Sequence, residues 1–170
     1  MASEELAALR RLLDTQRVLS IAVAIYGKPA IGLMPFVREE DYCGALVLGS
    51  PLAEHTRGLA AGATCAVLIH EPDRPEADPH QLVRVALRGV PEVVKRAHAT
   101  FEARQQRYLN RFPDSAQMLA LSDFELFRLR FESGRLVLGF GRVVKLGGCV
   151  WAALRGQAGV TPCTTPPPEG

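Results

Sequence analysis

The sequence predicts a mainly β protein of the α+β type, a six- or seven-stranded antiparallel barrel with peripheral helices. Short apolar runs bounded by glycine, proline and polar clusters recur along the chain, as strands joined by tight turns do. Their spacing is too small for parallel crossovers throughout, which need a dozen or more residues each. Three or four amphipathic stretches interrupt them, and 170 residues suffice for one domain with a full-sized core.

Leu6, Leu9, Leu12 and Leu13 recur at helical spacing, so residues 3–15 form an amphipathic helix. Residues 18–25 are a near-continuous apolar strand, Tyr26-Gly27-Lys28-Pro29 a turn, and residues 30–36 the returning partner of a hairpin. Arg38-Glu39-Glu40-Asp41 is a polar loop before a third strand over 43–49. Ser50 then reads as a helix cap with Pro51 at the first helical position, and Gly62 as the stop of a helix of about three turns. Residues 64–69 form a buried strand, and the prolines of EPDRPEADPHQ hold the next segment in a loop before a strand over 82–90. Val94, Ala97, Phe101, Tyr108 and Phe112 fit one face of a helix over 92–111, followed by a short helix at 115–121. Phe127, Leu129 and Phe131 alternate with Arg128 and Arg130 as in a half-exposed strand, and Ser133-Gly134 turns the chain into a last strand over 136–146. From Gly147 the period is lost, which divides the chain into a barrel domain, 1–146, and an extended or partly disordered tail, 147–170.

Composition narrows the partners. The chain is 48% hydrophobic and 22% charged, and its net charge of +2 is too small to suggest nucleic acid. Lys28, Lys95 and Lys145 are its only lysines, so nearly all positive charge is guanidinium, which favours recognition of planar anions. No apolar run reaches membrane-span length and the charged start MASEELAALRRLL is no signal peptide, which points to the cytoplasm and to no membrane partner. Cys43, Cys65, Cys149 and Cys163 are scattered without zinc spacing and read as reduced thiols. No G-x-G-x-x-G or Walker loop is present, and no local motif marks a Ser-His-Asp or Cys-His arrangement.

Two polar groupings stand out. His55, Thr56 and Arg57 share the short helix after Ser50 and could hold an anionic group by hydrogen bonds and charge, or simply form a solvated helix face. His70, Glu71, Asp73, Glu76, Asp78 and His80 combine imidazoles and carboxylates suited to a divalent metal, but the prolines between them give no register to aim them.

The ordered segments LLDTQRVLSIAVAIYGKPAIGLMPFV, SPLAEHTRGLAAGATCAVLIHEP, RVALRGVPEVV, RYLNRFPDS and DFELFRLRFESGRLVLGFGRVVKL resemble the pyridoxamine 5′-phosphate oxidase-like flavoproteins, and within them the haem-utilisation, HugZ-type branch. The resemblance covers roughly residues 10–146. It implies an FMN-binding split β-barrel, homodimeric with flavin at the subunit interface, acting as an oxidoreductase on a small molecule. By the same resemblance Ser50, His55, Thr56 and Arg57 address the FMN phosphate, backbone groups of Leu33 and Met34 address the polar edge of the ring, and Arg84 lies near the flavin, where its cation favours the reduced anion. The sequence departs from the pattern at Gly58, where an asparagine would follow H-T-x, and at Gly32, where a serine or arginine would stand. The arginine and histidine with which authentic pyridoxamine-phosphate oxidases grip their product have no counterpart after Gly141.

The haem-degrading members imply haem as the alternative cofactor. Their iron-binding histidine lies in the C-terminal part, whereas no histidine follows His98 here; Cys149 and Cys163 could offer thiolates instead. A third reading is a cofactor-free barrel serving as a binding or assembly protein, with the proline-rich tail as a ligand for a partner.

Overall fold

The structure, a computed structural model, describes residues 2–158. Its core is an antiparallel barrel built from β1 (Val18–Ile25), β2 (Lys28–Arg38), β3 (Gly44–Gly49), β4 (Cys65–His70), β5 (Arg84–Val93) and β6 (Glu125–Val137), with β7 (Val143–Leu146) added at one edge. The sheet order is β3-β2-β1-β4-β5-β6-β7, and pairing of β3 with β6 closes the first six strands into a ring. Around it lie α1 (Ser3–Thr15), α2 (Glu54–Ala60), α3 (Phe101–Arg111), α4 (Ala116–Ala120) and α5 (Gly148–Ala158). The predicted fold class is the one observed.

Local chemistry explains most elements. Glu5 accepts a hydrogen bond from the Ala2 N–H at 2.8 Å and fixes the start of α1, whose Leu6, Leu9, Leu12 and Leu13 are buried on the barrel. Tyr26 and Gly27 both have positive φ, 50° and 76°, which is what a two-residue turn between right-twisted strands demands; Ile25 accordingly pairs with Lys28. β3 is buried at every position, because its inner face belongs to the barrel core and its outer face to a second cluster with Tyr108, Phe101 and Leu119 of α3 and α4. That two-sided burial is why it reads as an unbroken apolar run.

Four boundaries differ from expectation. The helix over 92–111 begins only at Phe101: β5 runs to Val93, and the Val94 N–H still donates to Leu126 O at 2.8 Å. Ser133-Gly134 is not a turn. β6 passes straight through it, a register shift between Arg88 and Gly89 absorbs the bend, and the reversal to β7 comes after Val137. Ser50 does not cap α2, which is two turns long; its Oγ accepts from the Leu52 N–H at 3.3 Å within a turn closed by Ala53 N–H to Ser50 O. Gly62 does end that helix, at φ +75°, with Gly62 N–H on Leu59 O and Ala63 N–H on Gly58 O. The packed chain also continues beyond 146: in α5, Val150, Trp151 and Leu154 are buried in the main core, and the Trp151 ring lies 6.0 Å from that of Phe131. Residues 159–170, with Cys163 and the whole proline-rich stretch, lie outside the described residues.

Candidate functional site

α2 is the element that brings the anticipated residues toward the barrel, and it seats by close backbone approach. A Cβ on Gly58 would lie 2.9 Å from Val23 Cγ2 and 3.0 Å from Ile25 Cγ1, so the helix rests directly on β1. Position 58 therefore faces the core and has no room for an amide; Gly58 is a packing contact rather than a lost donor. Gly32 is explained the same way: a Cβ there would meet the His55 ring, 2.3 Å from Cε1 and 2.4 Å from Nδ1. The imidazole occupies the space a larger residue would take, and burial holds its pKa below the ordinary value.

Thr56 is 2% exposed, packed against Gly49, and its Oγ1 has no hydrogen-bond partner. A buried unpaired hydroxyl is costly, so it marks a position where a ligand atom or a water would be welcome. Arg57 points away from the barrel; its side chain is 61% exposed and meets Glu54 at 3.6 Å. It borders a cavity of about 570 Å³ between the β1–β2 hairpin and α2, with Ile25, Tyr26, Pro29 and Ala61 in its walls. Met34 is buried in the barrel, whereas Leu33 next to it is 66% exposed on the outer sheet face. Arg84 is also on the outer side, held by its own Nη1 to Leu82 O at 3.0 Å and in register with His70. The structure thus gathers Ser50, His55 and Thr56 around the end of β3 and the start of α2, and leaves Arg57, Leu33 and Arg84 on other surfaces.

The metal-type loop does not converge. His80 Nδ1 contacts Asp78 at 2.8 Å, His70 Nδ1 contacts Glu71 O at 2.7 Å, and no group of three or more such ligands comes together among the described residues. Cys43 and Cys65 are buried, and burial pushes both thiols up to about 11, which keeps them neutral. His98 bonds Thr100 Oγ1 at 2.8 Å on the surface. Cys149 is placed in α5, but its side chain is outside the described residues.

Sequence reasoning missed the outer face of the sheet. Alternation along β1, β2, β4 and β5 puts Ile31, Leu33, Ser20, Ala22, Leu68 and Ala86 there, in the rows Leu33–Ser20–Leu68–Ala86 and Ile31–Ala22–Ala66. Ile31 is 77% exposed, Leu33 66% and Leu68 39%, an apolar surface on the outer sheet face. The signal was present in the apolar runs over 18–25 and 64–69, the second of which reads as a buried strand. β3 pairs with β2 only over Phe36, Val37 and Arg38, so from Lys28 to Pro35 no strand among the described residues lies on the far side of β2; this opening is the split in the barrel.

A six-stranded antiparallel ring of this strand order, with one extra strand and helices closing its sides, is a split barrel, the fold shared with solved structures of the pyridoxamine 5′-phosphate oxidase-like type. Within that group it is similar to proteins of the haem-utilisation, HugZ-type branch. It is 27% identical over 142 residues, 82% of this chain and 80% of the relative, to a protein of Vibrio cholerae serotype O1 described as the haem oxygenase HutZ. A haem binding protein of Mycobacterium smegmatis superposes with a TM-score of 0.78 at 25% identity, over 90% of this chain. The chain spans only 62% of the length of that protein. The structure of Vibrio cholerae HutZ, described there as a haem storage protein, superposes with a TM-score of 0.68 at 25% identity over 85% of this chain and 96% of its own. Campylobacter jejuni ChuZ shares the fold with a TM-score of 0.75 at 18% identity. No family model matches the chain.

Proposed function

We propose that this protein binds haem in the cytoplasm, as a dimer of split barrels. The observation that carries the reading is the similarity to HutZ along four-fifths of both chains, joined by the M. smegmatis haem binding protein. The outer sheet face supports it physically. Its floor of Ser20, Ala22, Ala66 and Ala86 consists of small, largely apolar residues, a surface suited to an aromatic molecule or to a second copy of the chain, and the protein's free Cys43 and Cys65 suit a reducing compartment. Among the described histidines, His70 lies on this face with Nδ1 engaged by Glu71 O, the arrangement that leaves Nε2 available and fixed in direction for a metal. The buried neutral thiols of Cys43 and Cys65 are unfitted for the same task. Bound iron porphyrin would supply the redox chemistry, and the protein its orientation and shielding. Titration of the purified chain with ferric haem tests this: a Soret shift saturating at micromolar haem is expected, and free-haem spectra throughout would refute it. Light scattering of the same sample should give twice the chain mass.

FMN in the same barrel is the second reading, favoured by the unpaired Thr56 hydroxyl beside Ser50 and His55, groups able to meet a phosphate. Gly58 and Gly32 offer it nothing, for the packing reasons above. A colourless protein that takes up no added FMN would remove it. A cofactor-free assembly role would show as dimerisation with neither ligand bound.

A further inference from the structure

Several arginines on this molecule find carboxylates. Arg11 meets Glu71, Arg104 and Arg128 share Glu39, and Arg130 meets Glu92. At the β5–β6–β7 side of the outer face the matching stops. Arg135 sits directly opposite Lys145 across β6 and β7, and Arg88 is one diagonal step away, opposite Ser133 on the neighbouring strand. All three are exposed, and none has an acidic or hydrogen-bonding partner among the described residues. Facing like charges across a strand pair are unfavourable on their own, since opposed side chains start only about 5 Å apart. The three cations border a cavity of about 500 Å³ whose other walls include Ala66, Ala86 and Ser133.

Ala66 and Ala86 are shared with the floor of small apolar residues. The row Leu68–Ala86–Arg135–Lys145 runs from apolar to cationic across four adjacent strands spaced about 4.8 Å apart. A ligand lying on that floor needs an apolar body and an edge with more than one negative charge. Most of the exterior lacks this combination: the arginine-rich groove beside α3 already holds Asp14 and Glu40 against its cations.

We propose that Arg88, Arg135 and Lys145 form the seat for the two carboxylates of the haem, with its ring over Ala66, Ala86 and Leu68. This rests on the haem reading above. Each carboxylate gains charge-assisted hydrogen bonds, bidentate where a guanidinium supplies the donors. The cations in turn lose their mutual repulsion.

The test compares ferric haem with its dimethyl ester, which keeps ring and iron but carries no carboxylate, in one detergent-containing buffer. The full chain and the variants Arg135→Gln/Lys145→Gln and Arg88→Gln are titrated and read by Soret absorbance, with circular dichroism as a check on folding. The intact chain should bind haem about tenfold or more tightly than the diester, and each variant should lose most of that preference while its diester affinity stays the same. Equal affinity of the intact chain for acid and diester, or an undiminished preference in both variants, overturns the carboxylate seat and leaves the haem reading standing. Binding of neither molecule overturns the haem reading and this proposal with it.

Discussion

Substituting Gly58 measures how closely α2 rests on β1. Alanine is the better helix former by about 1 kcal/mol, so on an open helix face Gly58→Ala would stabilise the protein. Here the new methyl would sit 2.9 Å from Val23 Cγ2 and 3.0 Å from Ile25 Cγ1, and Val23 cannot yield easily, since it is 3% exposed within the barrel core. Overpacking of this kind costs about 1–3 kcal/mol, so the net loss for alanine is about 1 kcal/mol. Asparagine adds an amide with no partner in an apolar contact, which brings the loss to about 3 kcal/mol. For a domain of this size that corresponds to Tm falling by about 3 °C for alanine and about 9 °C for asparagine. Urea unfolding followed by far-ultraviolet circular dichroism would read the series. An alanine variant more stable than the parent, or an asparagine variant of equal stability, would refute the packing account and return position 58 to the ligand groove.

Trp151→Ala should destabilise by about 3–5 kcal/mol, because the side chain is 4% exposed, stacks near Phe131 and donates through Nε1 to Glu132 O at 3.4 Å; thermal unfolding would show it, and an unchanged Tm would mean that α5 is not docked. Thr56→Val removes a buried hydroxyl that has no partner while keeping the shape, so stability should rise by about 1 kcal/mol in the ligand-free protein, read by urea midpoint; a loss would show that Oγ1 is bonded after all. The thiols of Cys43 and Cys65 lie near 11 when folded against an ordinary 9.0, so the folded state holds these protons more tightly. Their contribution to stability is full below pH 9.0 and is lost as pH rises toward 11, and a Cys65→Ala variant should show a flatter decline over that window in chemical denaturation.

The strand and hairpin framework was legible in the residues themselves. Apolar runs from 18 to 70, the Tyr26-Gly27 turn and the Gly62 stop are local signals, each set by alternation or by a backbone conformation that few residues adopt. The leucine stripe of α1 is equally local. Where the reading failed, two local preferences competed and a distant partner decided. Val94 fits a helical stripe, yet the pairing of β5 with β6 carries it onto the sheet, and β6 runs through Ser133-Gly134 because β5 and β7 flank it there. Val150, Trp151 and Leu154 form a helix face whose value lies in the core around Phe131, which adjacent sequence does not reveal.

The candidate site divides along the same line. Residue types alone supplied the grouping of His55, Thr56 and Arg57 and the abundance of guanidinium groups. Only the closed barrel decided that Gly58 and Gly32 are contact points and that Arg57 turns outward. The same closure sets Arg88, Arg135 and Lys145, from three different strands, beside one apolar floor. Backbone propensity acts over a few residues and is written in order along the chain. Side-chain convergence across strands depends on register, and register is fixed when the whole ring closes.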